Sequence, residues 1–200
     1  MNLELLDAYG KKVADACINS WSESLPAQGT ARLEVKAPKK WTAETPYLYT
    51  LVARVSSAPA TKRVGRKVVQ SGEPVLKEVI AQKVGFRKVE IKNAQLLLNG
   101  QPVLLRGAGW TDDIYLRDTP ESNRQQLEYV RDMNMNTVRL EGFWGTSQNL
   151  YDLCDEYGIY VLSEANVECH GLWNLSHEMA WADAFSERCA NMVRRYRNHA

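Results

Sequence analysis

From about residue 103 onward, the sequence alternates short apolar runs with amphipathic runs, and this alternation constrains the fold more than any other feature. Strands are predicted at 103–106, 137–141 and 159–162, and a helical pattern follows each of them. Strands that alternate with helices form a parallel sheet with right-handed crossovers. Three strand-helix units cannot close an eight-stranded barrel, so the sequence predicts either a small open sheet or the first part of a barrel.

The helices in this region carry start and stop signals. The first begins near 118–121, which supplies a capping residue, a proline in the first turn and an early acid. Its predicted buried stripe consists of Leu127, Val130 and Met133. The second helix ends at Gly158 and places four residues on one face: Leu150, Leu153, Cys154 and Tyr157. The third is predicted to turn six side chains inward: Trp181, Phe185, Cys189, Met192, Val193 and Tyr196.

Polar side chains follow the third predicted strand. The four apolar residues 159–162 predict a strand that is buried on both faces. Two carboxylates, an amide and an imidazole come next, within seven residues: Glu164, Asn166, Glu168 and His170. In an extended segment Glu168 and His170 lie two residues apart and project to the same side. Because α/β enzymes place their chemistry at strand ends, this stretch is a candidate functional site.

Residues 1 to about 91 have the pattern of an all-β domain. A turn at 9–12 separates two apolar runs, and alternating residues at 32–36 and 48–55 predict further strands. Short strands with a turn signal about every ten residues are typical of a β-sandwich. The basic cluster 62–67 is predicted to be a solvated hairpin rather than a binding patch. Asn99-Gly100 between apolar runs predicts a two-residue hairpin turn.

Composition excludes some classes of partner. The 200 residues carry 25 basic and 24 acidic side chains, a net charge of +1 that gives no electrostatic attraction to nucleic acid or membrane. The acidic, alternating N-terminus does not read as a signal peptide. Four scattered cysteines without a C-x-x-C pair favour reduced thiols. A cytoplasmic location is therefore expected, and a periplasmic or secreted one would require a leader outside this sequence.

Several stretches together resemble glycoside hydrolase family 2, the β-galactosidase, β-glucuronidase and β-mannosidase group. Residues 41–49 resemble its immunoglobulin-like domain, and 84–107 resemble its passage from sandwich to barrel. Residues 151–171 resemble the third barrel strand of β-galactosidases, and 194–199 resemble the run before the fourth. The resemblance implies a multidomain β plus α/β chain. An incomplete immunoglobulin-like β-sandwich (1–91) would precede the first three βα units of a TIM (β/α)8 barrel (92–200).

The resemblance also implies a retaining β-glycosidase. Its acid/base and nucleophile would follow strands four and seven, beyond Ala200, so Glu141, Glu164 and Glu168 are not expected to take those roles. The isolated chain is therefore expected to be inactive, and a non-catalytic module is the alternative interpretation. Three barrel strands would leave the first and third edges open and the inner face uncovered.

The resemblance implies a metal site as well. Glu168 and His170 match positions that bind Mg²⁺ together with the later acid/base glutamate, so this chain alone is expected to bind Mg²⁺ weakly or not at all. An unrelated α/β domain with a Glu/His/Cys zinc site is the weakest alternative. Arg139, at the end of the second strand, is expected to orient neighbouring carboxylates.

The loops after strands one and two depart from the β-galactosidase pattern. Residues 109–111 stand where β-galactosidases carry Asn-Arg-His, and 142–144 stand where they carry Ser-His-Tyr. Both loops look more like the exo-β-glucosaminidase and β-mannosidase branch. The expected partner is a β-linked sugar or oligosaccharide, and because the third-strand match is the longest, a terminal β-galactoside is the first expected substrate. A β-glucosaminide or β-mannoside is the second, and the parent protein is a candidate homo-oligomer.

The remaining candidates are residues that would support the sugar site. Trp110 would either stack on a sugar face or be buried in the core. Asp112 or Asp113 would either pair with a glucosamine ammonium or cap a helix. Glu141 and Asn166 complete this group.

Overall fold

A computed structural model describes residues 1–18, 29–110, 119–140, 147–165, 167, 171 and 173–200. The chain divides into two compact units. The first, the sheet unit, consists of Met1–Pro38 and Leu48–Val84; the second, the barrel unit, consists of Lys39–Tyr47 and Gly85–Ala200. Within the described ranges, no helix has the length and apolar character required to cross a bilayer.

Within its described residues, the sheet unit contains six strands: β1 (Asn2–Leu6), β2 (Lys12–Cys17), β3 (Tyr49–Ser56), β4 (Thr61–Val64), β5 (Lys67–Gln70) and β6 (Leu76–Val84). Four of them form an antiparallel sheet in the order β2-β1-β3-β6, and β4 pairs with β5 as a separate hairpin. The predicted turn between β1 and β2 is confirmed. Asp7 Oδ1 accepts the backbone N–H groups of Tyr9 and Lys11, both at 2.9 Å, and Gly10 adopts a φ of 80°.

Two other predictions for this unit have different outcomes. The basic cluster 62–67 lies in the β4–β5 hairpin, whose side chains are largely exposed, so the solvated hairpin is confirmed. The prediction of a strand at 32–36 is wrong, because these residues do not form one. Burial alternates there as the sequence suggests, but among the described residues this segment has no ladder partner. Periodicity reveals which side chains are half-buried, whereas a strand also needs a hydrogen-bonded neighbour.

The described part of the barrel unit contains six strands and three α-helices: β7 (Val89–Lys92), β8 (Gln95–Leu98), β9 (Gln101–Pro102), β10 (Gly107–Trp110), α1 (Pro120–Asp132), β11 (Thr137–Leu140), α2 (Gln148–Tyr157), β12 (Tyr160–Ser163) and α3 (Ala182–Tyr196). Strands β7-β8-β9 form an antiparallel meander. Strands β10-β11-β12 form the predicted parallel sheet. Asn99 and Gly100 have φ values of 53° and 83°, which confirms the two-residue turn.

The first parallel strand is four residues later than predicted. Residues 103–106 are not a strand, and β10 is formed by the glycine-containing segment Gly107–Trp110. A Cβ at Gly107 would collide with the backbone carbonyl of Thr137, so only glycine lets the two strands approach this closely. Strand propensities penalise glycine, which is why the sequence pattern favoured the apolar run before it.

Asn136 fixes the chain that leads into this sheet. Its Oδ1 accepts the backbone N–H of Arg106 at 2.8 Å, and its Nδ2 donates to the carbonyl of Leu104 at 2.9 Å. The backbone carbonyl of Asn136 also accepts the N–H of Tyr160 at 2.7 Å. One residue, through its side chain and its backbone, thereby links the segments that enter β10, β11 and β12.

The predicted helix ends are confirmed. Thr119 Oγ1 accepts the N–H of Ser122 at 3.1 Å, Pro120 opens α1, and Gly158 ends α2 with a φ of 73°. The two helices and the parallel sheet share one hydrophobic core: Trp110, Leu127, Val138, Leu140, Leu150, Tyr151, Leu153, Cys154 and Ile159. Met133 was predicted to belong to it and is exposed, because it lies at the C-cap of α1, where the chain leaves the helical path.

Two further burial predictions are wrong. Trp181, Cys189 and Val193 of the last helical segment are exposed, and only the stripe that includes Phe185 and Tyr196 is partly buried. A periodic stripe shows which face is apolar, but not whether a partner covers it. The third strand was predicted to be buried on both faces, and Leu162 is 47% exposed.

This exposure follows from the open sheet. β10 and β12 are edge strands within the described residues. The side of the sheet away from the helices, its inner face, is exposed at Arg139 and Leu162, near the carboxyl ends of the strands, whereas Thr137 on the same face is buried. Open edges and an uncovered inner face were expected of a sheet with three barrel strands.

Candidate functional site

The parallel register places Arg139 on the inner face of the sheet, near the carboxyl ends of its strands. Arg139 lies opposite Gly109 of β10 and Leu162 of β12. Its neighbours Val138 and Leu140 point to the other side and belong to the core. Because successive side chains of a strand alternate between faces, the Arg139 guanidinium points away from the helices, and the side chain is 56% exposed.

Arg139 forms an ion pair with Glu164, which follows the end of β12. The contact joins Nη2 of Arg139 to Oε1 of Glu164, and the glutamate side chain is 38% exposed. The expected contact between Arg139 and a neighbouring carboxylate is therefore present. Glu164 had been set aside as a catalytic candidate, and its place as the partner of Arg139 was not foreseen. The signal available in the sequence was its spacing, since residues 162 and 164 are two apart and share a face in an extended chain.

Trp110 lies on the opposite side of the sheet. It is 7% exposed and belongs to the hydrophobic core with residues of α1 and α2. A ring in this position presents no free face to a sugar, so the structure supports the packed tryptophan over the stacking one. The other candidates lie outside the described residues: Asp112, Asp113, Glu141, Asn166, Glu168 and His170. Among the described residues, no group of three or more His, Cys, Asp or Glu side chains could hold a metal ion.

Tyr151 of α2 fixes the end of β12 beside this edge. Its hydroxyl and that of Ser163 form a hydrogen bond of 2.6 Å, and its ring stacks on Tyr196 with a centroid distance of 3.9 Å. Burial raises the pKa of Tyr151 to about 12, so the phenol remains protonated at neutral pH. Ser163, the residue before Glu164, is thus held by a hydrogen bond to the uncharged phenol of Tyr151 on α2.

A second polar cluster lies at the opposite end of the sheet. Asp155, in the last turn of α2, is buried, and its carboxylate accepts from His199 Nδ1 at 2.7 Å and from the N–H of Ala200 at 2.8 Å. The Trp41 indole N–H donates to the Asp155 backbone carbonyl at 2.8 Å. Gln148 Nε2 contacts His199 Nε2 at 2.7 Å. The cluster joins segments far apart in sequence at the entrance to β12, away from Arg139, so its role is to hold the fold.

Two consecutive segments of the chain match one family. Residues 2–87 match "Glycosyl hydrolases family 2", and residues 89–200 match "Glycosyl hydrolases family 2, TIM barrel domain". It is similar to the β-galactosidase of Alteromonas mediterranea, with 40% identity over 173 residues that cover 84% of this chain and 15% of that protein. It is also similar to the β-galactosidase of Vibrio vulnificus, with 36% identity over 186 residues, 90% of this chain and 16% of that protein. The chain thus spans about a sixth of the length of these relatives.

Solved structures confirm the fold. The β-glucuronidase from Ruminococcus gnavus in complex with D-glucuronic acid has a TM-score of 0.70 at 22% identity, over 99% of this chain and 30% of that one. The β-D-glucuronidase of Dictyoglomus thermophilum has a TM-score of 0.62 at 23% identity, over 83% of this chain and 25% of that one. The architecture is an immunoglobulin-like domain followed by the start of a TIM barrel. The chain belongs to glycosyl hydrolases family 2.

Proposed function

We propose that the protein containing this chain is a retaining β-glycosidase that hydrolyses terminal β-galactosides. The observation that carries the proposal is the 40% identity to β-galactosidases over most of the chain. The architecture supports it, because barrels of this kind bind substrates at the carboxyl ends of their strands, where Arg139 and Glu164 lie.

Residues 1–200 supply the scaffold of this site rather than its chemistry. A retaining glycosidase needs two carboxyl groups about 5–5.5 Å apart, one as nucleophile and one as acid/base. Among the described residues, the carboxyl-end edge of the parallel sheet presents Glu164, and its carboxylate is already paired with Arg139. We therefore propose that the 200-residue chain alone does not turn over glycosides.

The test compares four nitrophenyl β-glycosides: the galactoside, mannoside, glucosaminide and glucuronide. In the full-length protein, we expect the galactoside to have the highest kcat/KM. A preference for the mannoside or glucosaminide would instead favour the branch that the loops after the first two barrel strands resemble. The isolated chain is expected to release no nitrophenol above the buffer rate. Hydrolysis by the isolated chain that Glu164→Gln abolishes would contradict the proposed division of roles.

We further propose that Glu168 and His170 contribute two ligands to a Mg²⁺ site in the full-length protein, where the ion would supply positive charge beside the sugar. The donor set fits only in part. Mg²⁺ requires near-octahedral coordination by oxygen atoms, and an imidazole is an unusual ligand for it. Calorimetric titration of the isolated chain with MgCl₂ is expected to show no sub-millimolar affinity. Such an affinity, lost in Glu168→Gln, would contradict this expectation.

A further inference from the structure

The turn between β8 and β9 joins an asparagine to a glycine, a pair of residues that can deamidate without an enzyme. Both residues are left-handed, with φ values of 53° for Asn99 and 83° for Gly100, and Gly100 is exposed. Among the described residues, no atom lies within 4 Å of the position that a Cβ on Gly100 would take. Because glycine has no Cβ, its backbone nitrogen meets little steric resistance when it approaches the preceding side chain.

The reaction takes place between two neighbouring groups of the chain. The backbone nitrogen of Gly100 loses its proton to a base in water and attacks Cγ of Asn99. A new N–C bond closes a succinimide ring, and the bond from Cγ to Nδ2 breaks, so that ammonia leaves. Water then opens the ring at one of its two carbonyls. The products are an aspartate at position 99 or its isomer, which has an additional methylene in the main chain. No oxidant or reductant takes part.

In the folded protein, the side chain of Asn99 joins three segments of the barrel unit. Its Oδ1 accepts the backbone N–H of Lys88 at 3.0 Å, and its Nδ2 donates to the backbone carbonyl of Trp41 at 3.0 Å. Trp41 is buried, and its own backbone N–H donates to the carbonyl of Phe86 at 2.9 Å. The amide of Asn99 therefore links the β8–β9 turn to the residue before β7 and to the segment Lys39–Tyr47.

The two hydrogen bonds oppose the reaction, and one of them cannot survive it. Closure of the ring must rotate the Asn99 amide toward Gly100, so the reaction proceeds from molecules in which these bonds have opened. A carboxylate oxygen can still accept from Lys88, as the amide oxygen did. It has no proton to donate to the Trp41 carbonyl, however. Two acceptor oxygens would then face each other at a partly buried position, which costs free energy.

We propose that Asn99 is a site of spontaneous deamidation, and that the reaction detaches the segment Lys39–Tyr47 from the β8–β9 turn. The fold slows the reaction as long as the two hydrogen bonds are formed. Loss of ammonia makes the change irreversible. The proposal concerns the durability of the barrel unit and does not depend on which glycoside the full-length protein hydrolyses.

Peptide mapping by mass spectrometry measures the reaction in the full-length protein, incubated at mildly alkaline pH with and without urea. Asn93 is the internal control, because it also has a left-handed φ, 51°, and is exposed in the turn between β7 and β8, but alanine follows it. In urea, we expect Asn99 to deamidate several times faster than Asn93, because the Cβ of Ala94 hinders the attack. Folding is expected to slow the reaction of Asn99 about tenfold or more, because two hydrogen bonds must open first.

Three results of this mapping would overturn the proposal. The first is an equal rate at Asn99 and Asn93 in urea. The second is an equal rate at Asn99 in the folded and the unfolded protein. The third is the absence of product at Asn99 in the folded protein by the time that Asn93 has fully reacted in urea.

Hydrogen exchange of the full-length protein measures the structural effect. Asn99→Asp reproduces one of the products, and exchange in the peptide that covers Lys39–Tyr47 is expected to be about fivefold faster or more than in wild type, because a hydrogen bond to this segment is lost. Asn93→Asp adds the same charge at an exposed turn and is expected to leave this exchange unchanged. If Asn99→Asp does not fold, wild-type protein before and after deamidation provides the comparison. Exchange that is unchanged by the loss of the amide, or equally fast in Asn93→Asp, would overturn the proposed detachment.

Discussion

Replacing Trp41 with alanine is expected to lower the free energy of unfolding of the barrel unit by about 3–5 kcal/mol. The indole is 0% exposed and meets the Tyr160 ring edge-on at a centroid distance of 5.6 Å. Its N–H donates to the carbonyl of Asp155, and a Cβ placed on Gly85 would lie only 3.1 Å from the Trp41 Cβ, closer than an ordinary van der Waals contact. Alanine would leave a large cavity in a rigid surrounding and an unpaired carbonyl at the end of α2.

Urea denaturation followed by circular dichroism at 222 nm measures this effect, because the three described α-helices all lie in the barrel unit. Trp41→Phe, which keeps most of the volume and removes the N–H donor, should cost about 1–2 kcal/mol. Trp173→Ala removes an exposed indole and should cost less than about 1 kcal/mol. A Trp41→Ala variant as stable as Trp173→Ala would show that the segment Lys39–Tyr47 is not part of this core.

Replacing Asp155 with alanine is expected to destabilise the same unit by about 2–4 kcal/mol. A carboxylate in the last turn of a helix faces the negative end of the helix dipole, which disfavours it. At this position the cost is offset by His199 Nδ1 and the N–H of Ala200, which both donate to the carboxylate. Alanine would leave the two donors without their buried acceptor.

Two variants separate the hydrogen bonds from the charge. Asp155→Asn retains an oxygen that can accept from Ala200 and should cost less than Asp155→Ala in the same urea assay. Asp152→Asn is the matched control one turn earlier on α2, where the carboxylate is exposed and lies 4.0 Å from His199 Nδ1. It should change the free energy of unfolding by less than about 0.5 kcal/mol. An equal loss in Asp155→Ala and Asp152→Asn would contradict a specific role for the buried carboxylate.

Features encoded in neighbouring residues were predictable from the sequence. The cap at Thr119, the left-handed stop at Gly158 and the Asn99-Gly100 turn each depend on one or two residues and are present as expected. The strand Gly107–Trp110 was not predicted because its formation depends on a tertiary contact. A glycine that weakens an isolated strand is required here by the close backbone of Thr137.

The segment Lys39–Tyr47 shows that local sequence also fails to predict to which unit a segment belongs. Its position in the sequence placed it in the predicted sandwich, yet it clusters with the barrel unit. One of the hydrogen bonds that hold it joins Trp41 to a residue 114 positions away, and no local pattern encodes such a contact.

The candidate site was predictable only in part. The end of a parallel strand identified Arg139, and alternation within the next segment would have placed Glu164 on the same face. That the two side chains pair depends on the register of β11 and β12, which the sequence does not specify. Trp110 was ambiguous for a related reason, since the face on which it lies depends on where β10 begins.

The stereochemistry of hydrolysis distinguishes a retaining β-galactosidase from the other possible activities of the full-length protein. Proton NMR of the full-length protein with a nitrophenyl β-galactoside identifies the first anomer released, before mutarotation. A retaining β-galactosidase built on this barrel predicts that β-galactose appears first and α-galactose accumulates later. Initial release of α-galactose would contradict a retaining mechanism, and no release of galactose at all would contradict β-galactosidase activity.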